Sequence, residues 1–115
     1  MEEIERLTRA ALKFRDERDW ARFHTPKDLA ANLSIEAGEL QECFLWKASE
    51  EADAERVGEE LADVVVTALL LAHHYRFDLA ALVEKKLAQN AAKYPVDRFK
   101  GKNLKWDDAR AAGGT

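Results

Sequence analysis

The stretch Leu61–Ala72 most constrains how this chain can fold. Over twelve residues only Asp63 and Thr67 are polar. A helix apolar on nearly all sides has to be covered on nearly all sides. The run is too short to cross a bilayer, which takes about 18 apolar residues or more, and it contains an acid. A 115-residue chain is one domain's worth and can bury a core without metal or disulfide staples. One short four-helix unit cannot cover every side of such a helix, so the pattern predicts a core completed by a second copy, as a dimer or a doubled dimer.

The rest of the chain reads as helical. Two prolines and five glycines punctuate it, and no stretch alternates as a strand would. Ile4, Leu7, Ala11 and Phe14 recur at helical spacing, which predicts a first helix over residues 2–19. Thr25-Pro26-Lys27-Asp28 is a start signal, with threonine as cap, proline in the first helical position and Asp28 completing a box-like pattern. A second helix is expected from there to Lys47. Residues 48–55 read either as a loop or as an extended helix end. A third helix is expected over 56–75, and a fourth from a cap at Asp78 to Lys93, before Pro95. Residues 95–115 read as a polar tail without periodicity. The expected organisation is a single domain over 1–106 with a loose tail over 107–115.

Composition narrows the function. The single cysteine, Cys43, excludes an intrachain disulfide framework and an all-cysteine zinc site, and reads as a small buried hydrophobe. The acidic N-terminus lacks the basic start of a secretory signal. Both observations predict a cytoplasmic protein without a membrane partner. The net charge of −4 argues against a dedicated duplex-DNA binder, and no stable nucleic-acid partner is expected. That average conceals a split. Residues 1–84 carry 10 basic and 19 acidic side chains, whereas residues 85–105 carry 7 basic and one acidic. A basic segment in an acidic chain suits a local anion site, although cations near helix ends also arise simply to complement the helix dipole.

The chemistry lies in carboxylates at apolar positions. Leu29, Leu33, Leu40 and Phe44 form one stripe of the second helix, and Glu36 occupies that same stripe with Glu39 beside it. In the third helix Glu60 and Asp63 repeat the spacing within the apolar run. One such pair alone is ordinarily solvated surface. Two pairs, each set in an apolar stripe on successive helices, bring four repelling charges together and call for cations. An all-oxygen set suits Mg²⁺, with Mn²⁺ as the alternative. A di-iron bundle would need Glu-x-x-His, and none of His24, His73 or His74 has a glutamate three residues before it. Glu42 and Glu59 are further acids that either share the site or face solvent. No phosphate-binding G-x-x-x-x-G-K-[ST] loop occurs.

The motifs Glu36-x-x-Glu39 and Glu60-x-x-Asp63 resemble the metal motif of the MazG-like all-α nucleoside triphosphate pyrophosphohydrolases. So do Arg18-Asp-Trp-Ala-Arg-Phe-His-Thr-Pro-Lys27, Trp46-Lys47, Asp78-Leu79 and Lys86 through Asn90 to Lys93-Tyr-Pro-Val96. Together they are most similar to the dCTP pyrophosphatase branch, over residues 7–106. The resemblance implies a four-helix-bundle-type fold in an intertwined homo-oligomer, dimeric or tetrameric. It implies Mg²⁺-dependent hydrolysis between the α- and β-phosphates, giving a nucleoside monophosphate and pyrophosphate, as in nucleotide-pool housecleaning. By position, Glu36, Glu39, Glu60 and Asp63 would hold the metal. Glu39, with Glu36 beside it, would serve catalysis, Glu39 accepting the proton of the attacking water. Trp20, His24 and Trp46 would line the base pocket, with Lys47 adjoining. Lys86, Asn90, Lys93 and Tyr94, with Lys105, would contact phosphates and sugar. Two positions depart from the dCTP-type pattern: Thr67 stands where a tyrosine is usual, and Ala11 where a histidine is. Both touch the nucleoside pocket and leave the preferred base open. From the residues alone two other classes compete, a non-enzymatic helical oligomerisation domain and a nucleotide-binding regulator.

Overall fold

The computed structural model describes residues 2–103. Among them there is no strand. Four long helices carry the chain: α1 (Glu2–Glu17), α2 (Pro26–Glu42), α3 (Ala54–His74) and α4 (Leu79–Lys93), followed by the short α5 (Val96–Phe99). Single 3₁₀ turns cover Ala21–Phe23 and Ser49–Glu51. The chain divides into two compact units, Met1–Leu79 and Ala80–Thr115.

In the first unit α3 packs mainly on α2 and also on α1. α1 ends two residues earlier than expected, because Asp19 takes a left-handed backbone (φ 54°) and the Trp20 N–H turns back to the Arg15 carbonyl. The start of α2 follows its signal: the Asp28 N–H donates to Thr25 Oγ1 at 3.1 Å, with Pro26 as the first helical residue. α2 stops at Glu42 rather than Lys47. Cys43 to Lys47 form successive turns, and Trp46 has φ 62°, a conformation no α-helix tolerates. Phe44 therefore lies beyond the helix. Residues 43–53 are a connection, in which the Ala48 N–H donates to Glu51 Oε1 at 2.7 Å. α3 begins two residues before the expected start, because Asp53 caps it through the Glu55 N–H.

The packed face of α2 is Leu29, Leu33, Glu36, Leu40 and Cys43, at i, i+4, i+7, i+11 and i+14. Leu29 and Cys43, at its two ends, are fully buried. On α3 the corresponding stripe is Val57, Glu60, Val64, Thr67 and Leu71, all half-buried. Full burial on α3 is confined to its C-terminal half, at Leu69, Leu70 and Ala72. Among the described residues of one chain, α3 is not covered on every side. Leu61, Val65 and Val66 remain exposed, as does Ile35 of α2.

The second unit carries α4 and α5. α4 starts at Leu79, directly after Asp78. Within the segment read as a polar tail without periodicity, α5 forms over Val96–Phe99, and Tyr94 meets Phe99 edge-on at 4.8 Å. Lys105 and the expected tail 107–115 lie outside the described residues. No described helix is long and apolar enough to cross a membrane.

Candidate metal centre

α2 and α3, joined by residues 43–53, form a helical hairpin that brings the two acidic pairs together. Glu36 and Glu60 each take a place in the stripe by which their helix packs, so their carboxylates meet across the hairpin. Asp63 flanks them one turn along α3. One oxygen each from Glu36, Glu60 and Asp63 lies within 4.8 Å of the others. Three acidic oxygens at that separation repel unless protons or a cation intervene.

Two of the oxygens show what the cluster lacks. Glu36 Oε2 and Glu60 Oε2 are buried and have no hydrogen-bond partner. A buried acceptor without a donor is costly, and native structures rarely leave one. A hard divalent cation with oxygen ligands satisfies both atoms at once, so the donor set fits Mg²⁺ or Mn²⁺.

Glu39 adjoins this group without being one of its three members. The charge of Glu36, then a hydrogen bond in which Glu39 donates to Glu36, then desolvation raise the Glu39 carboxyl above the usual carboxylate range. A hydrogen bond from Glu60 acts against them. Glu60 is raised as well, chiefly by burial, then by the charge of Glu39 and the hydrogen bond it donates to Glu39. Asp63 is solvent-exposed, which corrects the expectation of an inward-turned acid. It sits at the edge of the α3 stripe, where a ligand or a second chain can reach it.

These shifts fix a pH dependence. A carboxyl raised on folding holds its proton better in the native state than in the unfolded one. Its stabilising effect is present at low pH and is lost as pH rises from the ordinary carboxylate range through the raised value. The metal-free protein should therefore melt at progressively lower temperature across that window. Glu39→Gln, which removes the charge, should flatten the trend in a series of thermal melts in a chelating buffer.

Of the other acids, Glu42 reaches Glu39 with its charge. Glu59 faces solvent. Sequence reasoning missed Arg56, whose charge favours the ionised form of Glu60. Its signal was the i, i+4 spacing to Glu60 in the first turn of α3. His73 faces Arg76, whose Nη1 lies 2.6 Å from His73 Nε2, and it takes no part in the acidic group.

The residues implied in base recognition occupy the segments around the short 3₁₀ turns. Trp20 and His24 flank the turn at Ala21–Phe23. Trp20 is 45% exposed, and His24 is half-buried with its Nδ1 buried and unpartnered. Trp46 is 99% exposed on its left-handed backbone, with Lys47 exposed beside it. In the second unit Lys86, Asn90, Lys93 and Tyr94 follow one another at i, i+4, i+7 and i+8 along the end of α4. The Tyr94 N–H donates to the Asn90 carbonyl at 2.7 Å, and Lys93 Nζ lies 6.0 Å from the Tyr94 ring. Thr67 Oγ1 donates to the Asp63 carbonyl at 3.0 Å, one turn beyond the acidic group.

Comparison with known proteins gives concordant results. A sequence model of the MazG-like family matches residues 32–108, which contain both acidic pairs. The chain is 37% identical over 113 residues to dCTP pyrophosphatase 1 of Bos taurus, covering 91% of this chain and 67% of that protein. It is 34% identical over 113 residues to dCTP pyrophosphatase 1 of Homo sapiens, covering 91% of this chain and 66% of that protein. The chain thus spans about two thirds of the length of these relatives. A solved pyrophosphatase structure from Archaeoglobus fulgidus superposes with a TM-score of 0.75 at 37% identity, covering 81% of this chain and 93% of that one.

Proposed function

Because the chain belongs to the MazG-like family and is by class a nucleoside triphosphate pyrophosphohydrolase, we propose that it cleaves deoxynucleoside triphosphates of the dCTP type between the α- and β-phosphates, with Mg²⁺ as cofactor. The observation that carries this reading is the acidic group: three carboxylates within 4.8 Å on a helical hairpin, two of them with orphaned buried oxygens.

Glu36, Glu60 and Asp63, with Glu39 adjoining, would hold the metal. Bound Mg²⁺ supplies charge neutralisation at the phosphates and acidifies the attacking water. Hydrolysis of a phosphoanhydride asks little covalent chemistry of the protein; it asks for alignment, charge and a proton acceptor. We assign the proton acceptor to Glu39, which stands next to the three-oxygen group rather than within it. Glu39→Gln should lower kcat about 10²-fold while retaining part of the Mg²⁺-induced rise in melting temperature. Loss of the whole rise would return Glu39 to the ligand set.

Trp20, His24 and Trp46 are assigned to the base, with Lys47 beside them. A tryptophan 99% exposed on a left-handed backbone buries nothing in its own chain and is placed to stack on something else. Lys86, Asn90, Lys93 and Tyr94, with Lys105, are assigned to phosphates and sugar, which gives the basic segment 85–105 its role. The exposed face of Leu61, Val65 and Val66 is assigned to a second copy of the chain, in a dimer or in a tetramer built as a dimer of dimers. Housecleaning of the nucleotide pool in the cytoplasm is the biological role consistent with this chemistry.

The test is a pyrophosphate-release screen with Mg²⁺ over all dNTPs, NTPs and modified dCTP analogues. Release from dCTP or a cytosine analogue at a higher kcat/KM than from other bases supports the reading. Nucleotide affinity without release would make the chain a binding regulator, and neither would leave a helical oligomerisation domain.

A further inference from the structure

The end of α1 carries an ordered group that the core does not explain. Phe14 and Trp20 are 51% and 45% exposed, yet their rings meet edge-on, with centroids 5.7 Å apart and planes at 73°. The Arg18 guanidinium carbon lies 3.8 Å from the Phe14 ring centroid and 6.0 Å from that of Trp20. Arg18 Nη1 also donates to the Phe14 carbonyl at 2.9 Å, which ties the guanidinium to the last turn of the helix. The backbone is fixed as well: the Trp20 N–H donates to the Arg15 carbonyl at 3.1 Å across the left-handed Asp19, and Asp19 pairs with Arg22 at 2.6 Å.

Edge-to-face and cation–π contacts of this kind have definite geometry. Between half-exposed rings they add little to the stability of the fold. What they do is restrict the directions open to the Trp20 side chain. An indole held in one orientation before its ligand arrives loses less freedom on stacking than one free to rotate.

We propose that Phe14 and Arg18 are positioning residues: they hold the Trp20 ring as a preset stacking platform for the nucleobase. The inference rests on the assignment of Trp20 to the base. Neither Phe14 nor Arg18 touches the acidic group, so their effect falls on nucleoside recognition and not on phosphate chemistry.

The experiment uses the full chain and the best dNTP of the screen, with Phe14→Leu, Arg18→Met, the double variant and Trp20→Ala. Four quantities are read: KM, kcat, the inhibition constant of inorganic pyrophosphate (which carries no base) and the melting temperature. Each single variant should raise KM about two- to five-fold, the ratio that matches a cation–π contact of about 0.5–1 kcal/mol. kcat should stay within about two-fold and pyrophosphate inhibition should not move. The double variant should exceed the larger single effect only slightly, since both contacts serve one ring. If Trp20→Ala raises KM and the other variants do not, the positioning role is overturned while the assignment of Trp20 stands. If Trp20→Ala leaves KM unchanged, that assignment falls and the proposal with it. If KM and the pyrophosphate constant rise together, or the losses follow the melting temperature, the residues act on the fold alone and the proposal is overturned.

Discussion

Glu36→Gln or Asp63→Asn should reduce pyrophosphate release by roughly 10²-fold or more, since charge stabilisation by a bound metal is worth several kcal/mol of the barrier. The same substitutions should remove the stabilisation that Mg²⁺ confers. A ligand bound only to the native state stabilises it by about 2.7 kcal/mol at a hundred times its dissociation constant, a shift of several degrees in melting temperature. Without metal the sign reverses for Glu36→Gln. That substitution removes one of the charges that raise Glu39, so the metal-free variant should melt above the metal-free wild type. A purely structural role for Glu36 predicts the opposite, a lower melting temperature with or without Mg²⁺. Differential scanning fluorimetry with chelator and with Mg²⁺, alongside a pyrophosphate assay, separates the two. Wild-type protein that shows neither a Mg²⁺ shift nor release from any nucleotide would sink the enzyme reading.

The second large effect concerns the open face of α3. Leu61, Val65 and Val66 are 49%, 45% and 41% exposed, and Ile35 on α2 is 57% exposed. Burying one such side chain fully is worth about 1.5–3 kcal/mol. In a two-fold dimer every contact is made twice, so the face is a large source of association energy. Sedimentation velocity at micromolar concentration should show a dimer or larger species. Val65→Asp places a charge in the middle of that face in both copies and should weaken association by roughly 10²- to 10⁴-fold. A monomeric wild type would overturn the assignment of this face to a second copy.

Much of the helical framework is legible in the residues themselves. Thr25, Pro26 and Asp28 mark the start of α2 because capping is a local hydrogen-bond pattern. Glu36 and Glu39, like Glu60 and Asp63, stand out because acids in an apolar stripe contradict the period around them. Trp46 was not legible as a helix stop. Nothing about a tryptophan favours a positive φ, so its left-handed turn reflects the surrounding chain and not its own preference. The start of α3 was misplaced for a related reason: Asp53 is one acid among several, and only the bond from the Glu55 N–H distinguishes the cap.

The residues alone determined an all-α chain, the two acidic pairs and their spacing, and the basic segment after residue 84. These follow from periodicity, capping and charge, which act over a few residues. The tertiary structure decided which acids meet. Glu36 and Glu60 lie in the packed stripes of α2 and α3, so the hairpin brings their carboxylates together and leaves an oxygen of each without a partner. Asp63 lies one turn along at the edge and stays exposed. The same packing decided which side of α3 is covered by its own chain and which is not. A helical period identifies an apolar face but carries no information about what covers it, because that depends on residues far apart in sequence; among the described residues Leu61, Val65 and Val66 stay exposed.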